Sequence, residues 1–141
     1  MIDFAVIGSG ISGATISNKL NKKYSIKVFE KAKGVGGRSS FKRFKGKIGF
    51  DHGLQYLSPR SRKFKSFTSK LIKKRVIKLW KGNHEFLNER VKRDRKHIKL
   101  IGVRGNNDIS KYLLRSINCK FQSELSKIKR QKDYWVLKFK D

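Results

Sequence analysis

Phe4-Ala5-Val6-Ile7-Gly8-Ser9-Gly10-Ile11-Ser12-Gly13 opens the chain, and its reading decides the fold. The run Phe4 to Ile7 is apolar without alternation, as a strand buried on both faces would be. Gly8, Gly10 and Gly13 then form a G-x-G-x-x-G turn, and Ala14 to Leu20 reads as a helix. A second strand, Tyr24 to Phe29, ends in Glu30. Strand, glycine turn, helix, strand and acidic residue in that order are the context that makes the glycine spacing informative. Gly8 permits the tight turn, Gly10 lets backbone approach a pyrophosphate, and Gly13 lets helix and strand pack closely. The helix start offers unpaired N–H groups and partial positive charge to phosphates. Glu30 lies about 20 residues further on, where a carboxylate can accept hydrogen bonds from ribose hydroxyls. The competing reading is a glycine-rich turn in another α/β domain.

Working outward, Gly34-Val35-Gly36-Gly37-Arg38 follows the acidic residue directly. Its glycines demand positive φ or close backbone approach, and Arg38 supplies a planar guanidinium suited to phosphate. This reads as a second loop touching a dinucleotide, against the alternative of a flexible surface turn. Phe41 to Phe50 alternates apolar and basic residues around Gly46 and predicts a short hairpin. Asp51-His52-Gly53-Leu54-Gln55-Tyr56 then gathers a carboxylate, an imidazole and an amide. His52 is the only nearby catalytic candidate, and packing or hydrogen bonding is the commoner role for a lone histidine. His52, His84 and His97 lack metal-ligand spacing with one another or with Cys119, and no Ser-His-Asp pattern is present.

Residues 60–80 show a helical apolar face of Phe64, Phe67, Leu71, Ile72, Val76, Leu79 and Trp80, with lysines and arginines opposite. Residues 84–103 read as a weaker strand region, strongest from Ile98 to Val103. Asn107 or Asp108 can cap a following helix carrying Ile109, Tyr112, Leu113 and Ile117 on one face. Phe121 to Ile128 and Tyr134 to Phe139 are expected to pair as strands around a turn at Gln131-Lys132-Asp133.

The balance of 37 Lys+Arg against 10 Asp+Glu gives a net charge of +27, which attracts polyanions. The basic residues are scattered and accompany no nucleic-acid motif, so nonspecific polyanion binding is the expectation. Specific binding of nucleic acid or an acidic protein by a non-enzymatic Rossmann remnant is the alternative function. No run approaches a membrane span, and a single cysteine, Cys119, excludes an internal disulfide and fits a reducing, cytoplasmic setting.

These motifs resemble a known family. Ala5 to Gly13, Val28-Phe29-Glu30-Lys31 and Gly34 to Arg38 look like the start of a flavin amine oxidase-type FAD protein. Phe50 to Tyr56 and Ile101-Gly102-Val103-Arg104-Gly105-Asn106-Asn107-Asp108-Ile109 are similar to the renalase-like branch, with Arg104 and Asn106 where that branch has proline and methionine. The resemblance runs over essentially the whole chain. It implies an α/β fold: a Rossmann-like FAD-binding βαβ core, incomplete, with the start of an inserted substrate domain. The expected division is 1–59 for the core with its second glycine loop, 60–105 for the start of the substrate domain, and 106–141 for a helix and hairpin returning to the core. By position, Gly8, Ser9, Gly10, Ile11, Ser12 and Gly13 would hold the FAD pyrophosphate. Glu30 and Lys31 would lie at the adenosine ribose, and Gly36, Gly37 and Arg38 at the phosphates. Asp51, His52, Gly53, Leu54, Gln55 and Tyr56 would run beside the flavin. The implied activity is hydride transfer from a reduced nicotinamide or an amine to FAD, then electron transfer to oxygen. Family members are much longer, so a truncated or split product is expected. Its sheet edge would be exposed, and a second chain could supply the missing half.

Overall fold

The computed structural model describes residues 2–44, 48–82 and 98–140. Strand β1 (Phe4–Ile7) leads through the glycine turn into helix α1 (Ile11–Leu20), and β2 (Ile26–Phe29) lies parallel to β1 with Val6 beside Val28. After a short 3-10 turn at Gly37–Ser39, β3 (Phe41–Phe44) and β4 (Ile48–Asp51) form an antiparallel pair. Helix α2 (Arg62–Lys73) precedes β5 (Ile77–Leu79), which pairs antiparallel with β6 (Leu100–Gly102). Helix α3 (Asp108–Leu114) leads into β7 (Asn118–Lys120), which returns to pair parallel with β2. The strands β8 (Leu125–Gln131) and β9 (Tyr134–Phe139) make a second antiparallel ribbon.

The central sheet therefore has the order β1-β2-β7. Ile26 and Val28 of its middle strand face α1 and α3 and share a buried cluster with Ala14, Ile109, Leu113, Leu114 and Ile117. Small residues let the two helices meet closely: Ala14, Ser17 and Ser110 are fully buried, and Asn18 Nδ2 donates to the Leu113 carbonyl at 2.8 Å. On the opposite face, Phe29 stacks on Phe139 with ring centroids 4.5 Å apart. The cluster continues through Leu57, Leu71, Val76, Ile77 and Leu100, so the β5–β6 pair shares the core. Among the described residues β1 forms the sheet's edge, and its Phe4 and Ile7 are 42% and 48% exposed.

Several elements differ from the sequence reading. The helix expected over 60–80 ends at Lys73, where Arg75 turns at φ 55° and the chain becomes strand at Ile77. β-Branched Val76 and Ile77 kept the apolar pattern going while changing its period. The strand expected at Phe121 to Ile128 starts later, at Leu125, because Gln122 takes φ 50° and Ser123 N–H donates to the Glu30 carbonyl at 2.9 Å. The third parallel strand, Asn118–Lys120, is too short and polar to stand out. The expected side-chain cap of α3 is absent: Asn107 occupies the cap position without that bond, and the Asp108 carboxylate turns to the Arg104 N–H and guanidinium. The β3–β4 hairpin forms as expected; of the weak strand region read over 84–103, residues 84–97 lie outside the described residues and Leu100–Gly102 forms β6.

Candidate cofactor site

Two glycine loops meet where β1 gives way to α1. Gly10 bridges to Gly36, and Gly36 N–H donates to the Ser9 carbonyl at 3.2 Å. Gly13 must lack a side chain, because a Cβ there would collide with the Gly8 carbonyl. Gly10 differs: an added Cβ would meet nothing nearer than 3.8 Å, the Gly36 carbonyl. The fold leaves room for a Cβ at Gly10, in ordinary contact with the second loop. Helix α1 begins with Gly10 as its cap, no side chain caps it, and its first turn has no carboxylate. The N–H groups of that turn face outward with the positive end of the helix dipole, which is the arrangement that receives phosphate.

The space in front is a cleft of about 710 Å³ lined by Ile7, Gly8, Gly10, Ile11, Ser12 and Gly13 from the first loop, with Gly36, Gly37, Arg38, Ser39, Gly53 and Leu54 opposite. That volume lies within the usual range for a small-molecule site of about 300–1,000 Å³. Arg38 is exposed at its rim. The segment after β4 reaches the cleft by docking on the second loop: Leu54 N–H donates to the Arg38 carbonyl at 2.9 Å, and Gly53 turns at φ 100° against the same carbonyl.

Ser9 and Glu30 lie buried beneath the first loop. The Ser9 N–H and hydroxyl both donate to Glu30 Oε2 at 2.7 Å, and the Ala32 N–H donates to Oε1 at 2.9 Å. Burial pushes the Glu30 carboxyl up. The bonds from Ala32 and Ser9, with the Lys31 ammonium nearby, outweigh it and hold the carboxyl below its ordinary value. Glu30 is thus ionised and fixed at the end of β2, where its own N–H donates to the Lys120 carbonyl at 2.9 Å. Three donors leave a carboxylate with spare lone-pair capacity.

Of the remaining sequence candidates, Lys31 is exposed and acts on Glu30 through its charge. Asp51 does not line the cleft; its Oδ1 accepts from the Asn106 N–H at 2.7 Å. His52 is exposed, and its Nε2 is hydrogen-bonded to Ser40 Oγ at 2.9 Å. Gln55 is exposed, while Tyr56 packs against Trp80 at 5.7 Å and carries the Lys99 ammonium 5.0 Å above its ring. The 51–56 segment therefore contributes Gly53 and Leu54 to the cleft, and its other members hold its shape.

Sequence reasoning missed Ile7 and Ser39 in the lining. It also missed Asn106 as an organiser. Asn106 is fully buried; its Oδ1 accepts from Gly102 N–H at 2.8 Å, and its Nδ2 donates to the carbonyls of Leu54 at 2.8 Å and Gln55 at 3.3 Å. An asparagine inside Arg-Gly-Asn-Asn-Asp looks like turn punctuation, and only its partners distinguish it. Cys119 is half-buried in β7, and burial pushes its thiol up, away from nucleophilic use. Among the described residues no group of three His, Cys, Asp or Glu could hold a metal ion, and no helix is long and apolar enough to cross a membrane.

This geometry defines a Rossmann-like NAD(P)/FAD-binding fold: a parallel sheet with helices and a glycine turn at the helix start. The family described as NAD(P)-binding Rossmann-like domain matches residues 6–71. The same architecture is found in a flavoprotein/dehydrogenase from Cytophaga hutchinsonii, with a TM-score of 0.58 and 17% identity over 99% of this chain and 35% of that one. A tetracycline destructase matches with a TM-score of 0.59 and 16% identity over 96% of this chain and 34% of its own. A probable FAD-dependent monooxygenase from Pseudomonas aeruginosa matches at 0.54 and 16%, over 93% of this chain and 35% of its own. An uncharacterized protein of Methanocaldococcus jannaschii is 52% identical over 33 residues, which is 23% of this chain and 9% of that protein. The chain thus spans about a third of the length of these solved structures.

Proposed function

We propose that this chain is the FAD-binding portion of an oxidoreductase of the renalase-like, flavin amine oxidase type. The observation that carries the reading is the uncapped start of α1 at Gly10, which lines a cleft walled by a second glycine loop and Arg38. The residues fit a dinucleotide. Ile11, Ser12 and Gly13 present the helix N–H groups to its pyrophosphate, and Arg38 adds a guanidinium from the facing loop. Glu30 lies beneath the loop and outside the cleft lining; held by Ser9 and Ala32, it keeps lone pairs for a ribose hydroxyl at the end of β2. Gly53 and Leu54 form the wall beyond, beside which the flavin end would lie.

When bound, FAD supplies the hydride acceptor and the electron relay to oxygen. The chain's own residues position it, ionise Glu30 and narrow the cleft; no described side chain is placed to move a proton. A reduced nicotinamide or an amine is the substrate class by resemblance. The divisions at residues 59 and 105 belong to the same proposal, with the α2–β5–β6 region as the start of a substrate domain.

Titration of the purified chain with FAD tests this, read by the flavin band at about 450 nm and by flavin fluorescence. The wild-type chain is expected to bind. Gly10→Val should lose at least about 100-fold in affinity, because its side chain would fill the pyrophosphate space. Its urea unfolding curve shows whether the variant folds, and Gly10→Ala, whose Cβ makes only ordinary contacts, is the milder companion. Unchanged FAD affinity in a folded Gly10→Val chain would overturn the assignment.

A further inference from the structure

The β8–β9 ribbon sorts its side chains by face. Ile128 pairs with Leu137 and Arg130 with Trp135, on the face where Phe139 stacks on Phe29. Phe139 anchors that face to the central sheet, while Ile128 and Trp135 further along it stand 50% and 63% exposed. The opposite face carries Lys127 beside Lys138, Lys129 beside Val136 and Gln131 beside Tyr134. These residues other than Tyr134 line a shallow cavity of about 260 Å³. Lys127, Lys129 and Lys138 carry no ion pair among the described residues, and the nearby Glu124 is taken by Lys140 at 2.9 Å. Like charges set directly opposite destabilise a ribbon, so the Lys127–Lys138 pairing works against the fold. Lysine on an open strand edge does discourage edge-to-edge pairing, but that purpose does not require collecting the amines on one face.

We propose that this face binds single-stranded nucleic acid along its phosphate backbone. Alternate residues on one strand stand about 6.6–6.8 Å apart, which matches an extended nucleotide strand in scale and sets Lys127 and Lys129 on successive phosphates. Lys138 supports the first from across the ribbon. Tyr134, 55% exposed at the ribbon tip, offers a ring on which a base can stack. A lipid surface would call for apolar side chains among the amines, whereas the lysine face carries Val136 as its one aliphatic residue. The proposal is independent of the flavin reading, since it uses neither the glycine loops nor the cleft.

The test measures binding of the full chain to fluorescein-labelled oligodeoxythymidine by anisotropy across a salt series. Replacing Lys127, Lys129 and Lys138 together by Gln should weaken binding by about tenfold or more and reduce the salt slope by about 1.4, as loss of two neutralised single-strand phosphates requires. A control replacing the exposed Lys22, Lys23 and Lys33 by Gln removes the same charge and should change the slope little. Tyr134→Leu should weaken oligonucleotide binding by about fivefold or more and leave polyglutamate binding unchanged. Equal losses in the two lysine variants would overturn the proposal, since charge without location would then explain the binding. So would an unchanged oligonucleotide affinity in Tyr134→Leu, or polyglutamate binding as tight as the oligonucleotide, which would make the ribbon a surface for acidic protein.

Discussion

The two walls of the cleft are built by different means. The first wall, Gly8 to Gly13 with Gly36 to Arg38, is shaped by backbone: glycines, an uncapped helix and one inter-loop hydrogen bond. The second wall, Gly53 and Leu54, is shaped by side chains that never reach the cleft. Asp51 holds the Asn106 N–H, and Asn106 holds the carbonyls of Leu54 and Gln55. A wall made of backbone can approach a charged ligand closely, because its glycines carry no side chain to hold the ligand off. A wall made of clamped loop is only as fixed as its clamp. The comparison teaches that binding should be sensitive to bulk in the first wall and to remote polar partners in the second.

The sharpest way to break this comparison is at the clamp. Asn106→Ala removes three hydrogen bonds and leaves the buried Gly102 N–H and two carbonyls short of partners, so unfolding free energy should fall by about 2–4 kcal/mol in urea. FAD affinity should fall as well, because the Gly53–Leu54 segment loses its anchor. A variant as stable as wild type would show that the clamp is dispensable. Next in size is Gly13→Ala, whose Cβ would run into the Gly8 carbonyl. It should cost about 1–3 kcal/mol, while Gly10→Ala stays near neutral. Equal effects at the two positions would erase the distinction between a glycine required by packing and one required by ligand.

The first wall was legible from sequence because its physics is local. Three glycines at fixed offsets, between an apolar strand and a helix, state their own geometry, and the strand, turn, helix and strand appear where they were expected. Glu30 was read as a ribose contact, and its bonds to Ser9 were not foreseen, since nothing in a serine's neighbours along the chain points 21 residues ahead. The second wall was harder. Asp51, His52, Gln55 and Tyr56 read as candidates to face a ligand, and the structure turns each to a protein partner or to solvent. Asp51 meets Asn106, where the sequence shows only a polar turn, His52 meets Ser40, and Tyr56 meets Trp80 and Lys99. The short strand β7 was missed for the same reason: Asn118–Lys120 is a strand because β2 lies beside it, and its own residues do not say so.

The smallest expected effect concerns pH and joins the first wall to the sheet below it. The Glu30 carboxyl sits below its ordinary value because the bonds from Ala32 and Ser9 and the Lys31 charge overcome burial. A carboxyl held low in the folded state contributes stability above its unfolded value, about 4.3. That contribution is lost as pH falls through the folded value. Glu30→Gln cannot ionise, and its amide would meet either the Ser9 or the Ala32 N–H with a donor. Wild type should therefore be the more stable of the two at neutral pH, and the gap should close as pH drops below 4. Urea unfolding of both chains from neutral pH down to about pH 3 measures that gap directly. A gap that stays constant would mean the Ser9–Glu30 pair is held by shape alone, and the first wall would then owe nothing to charge beneath it.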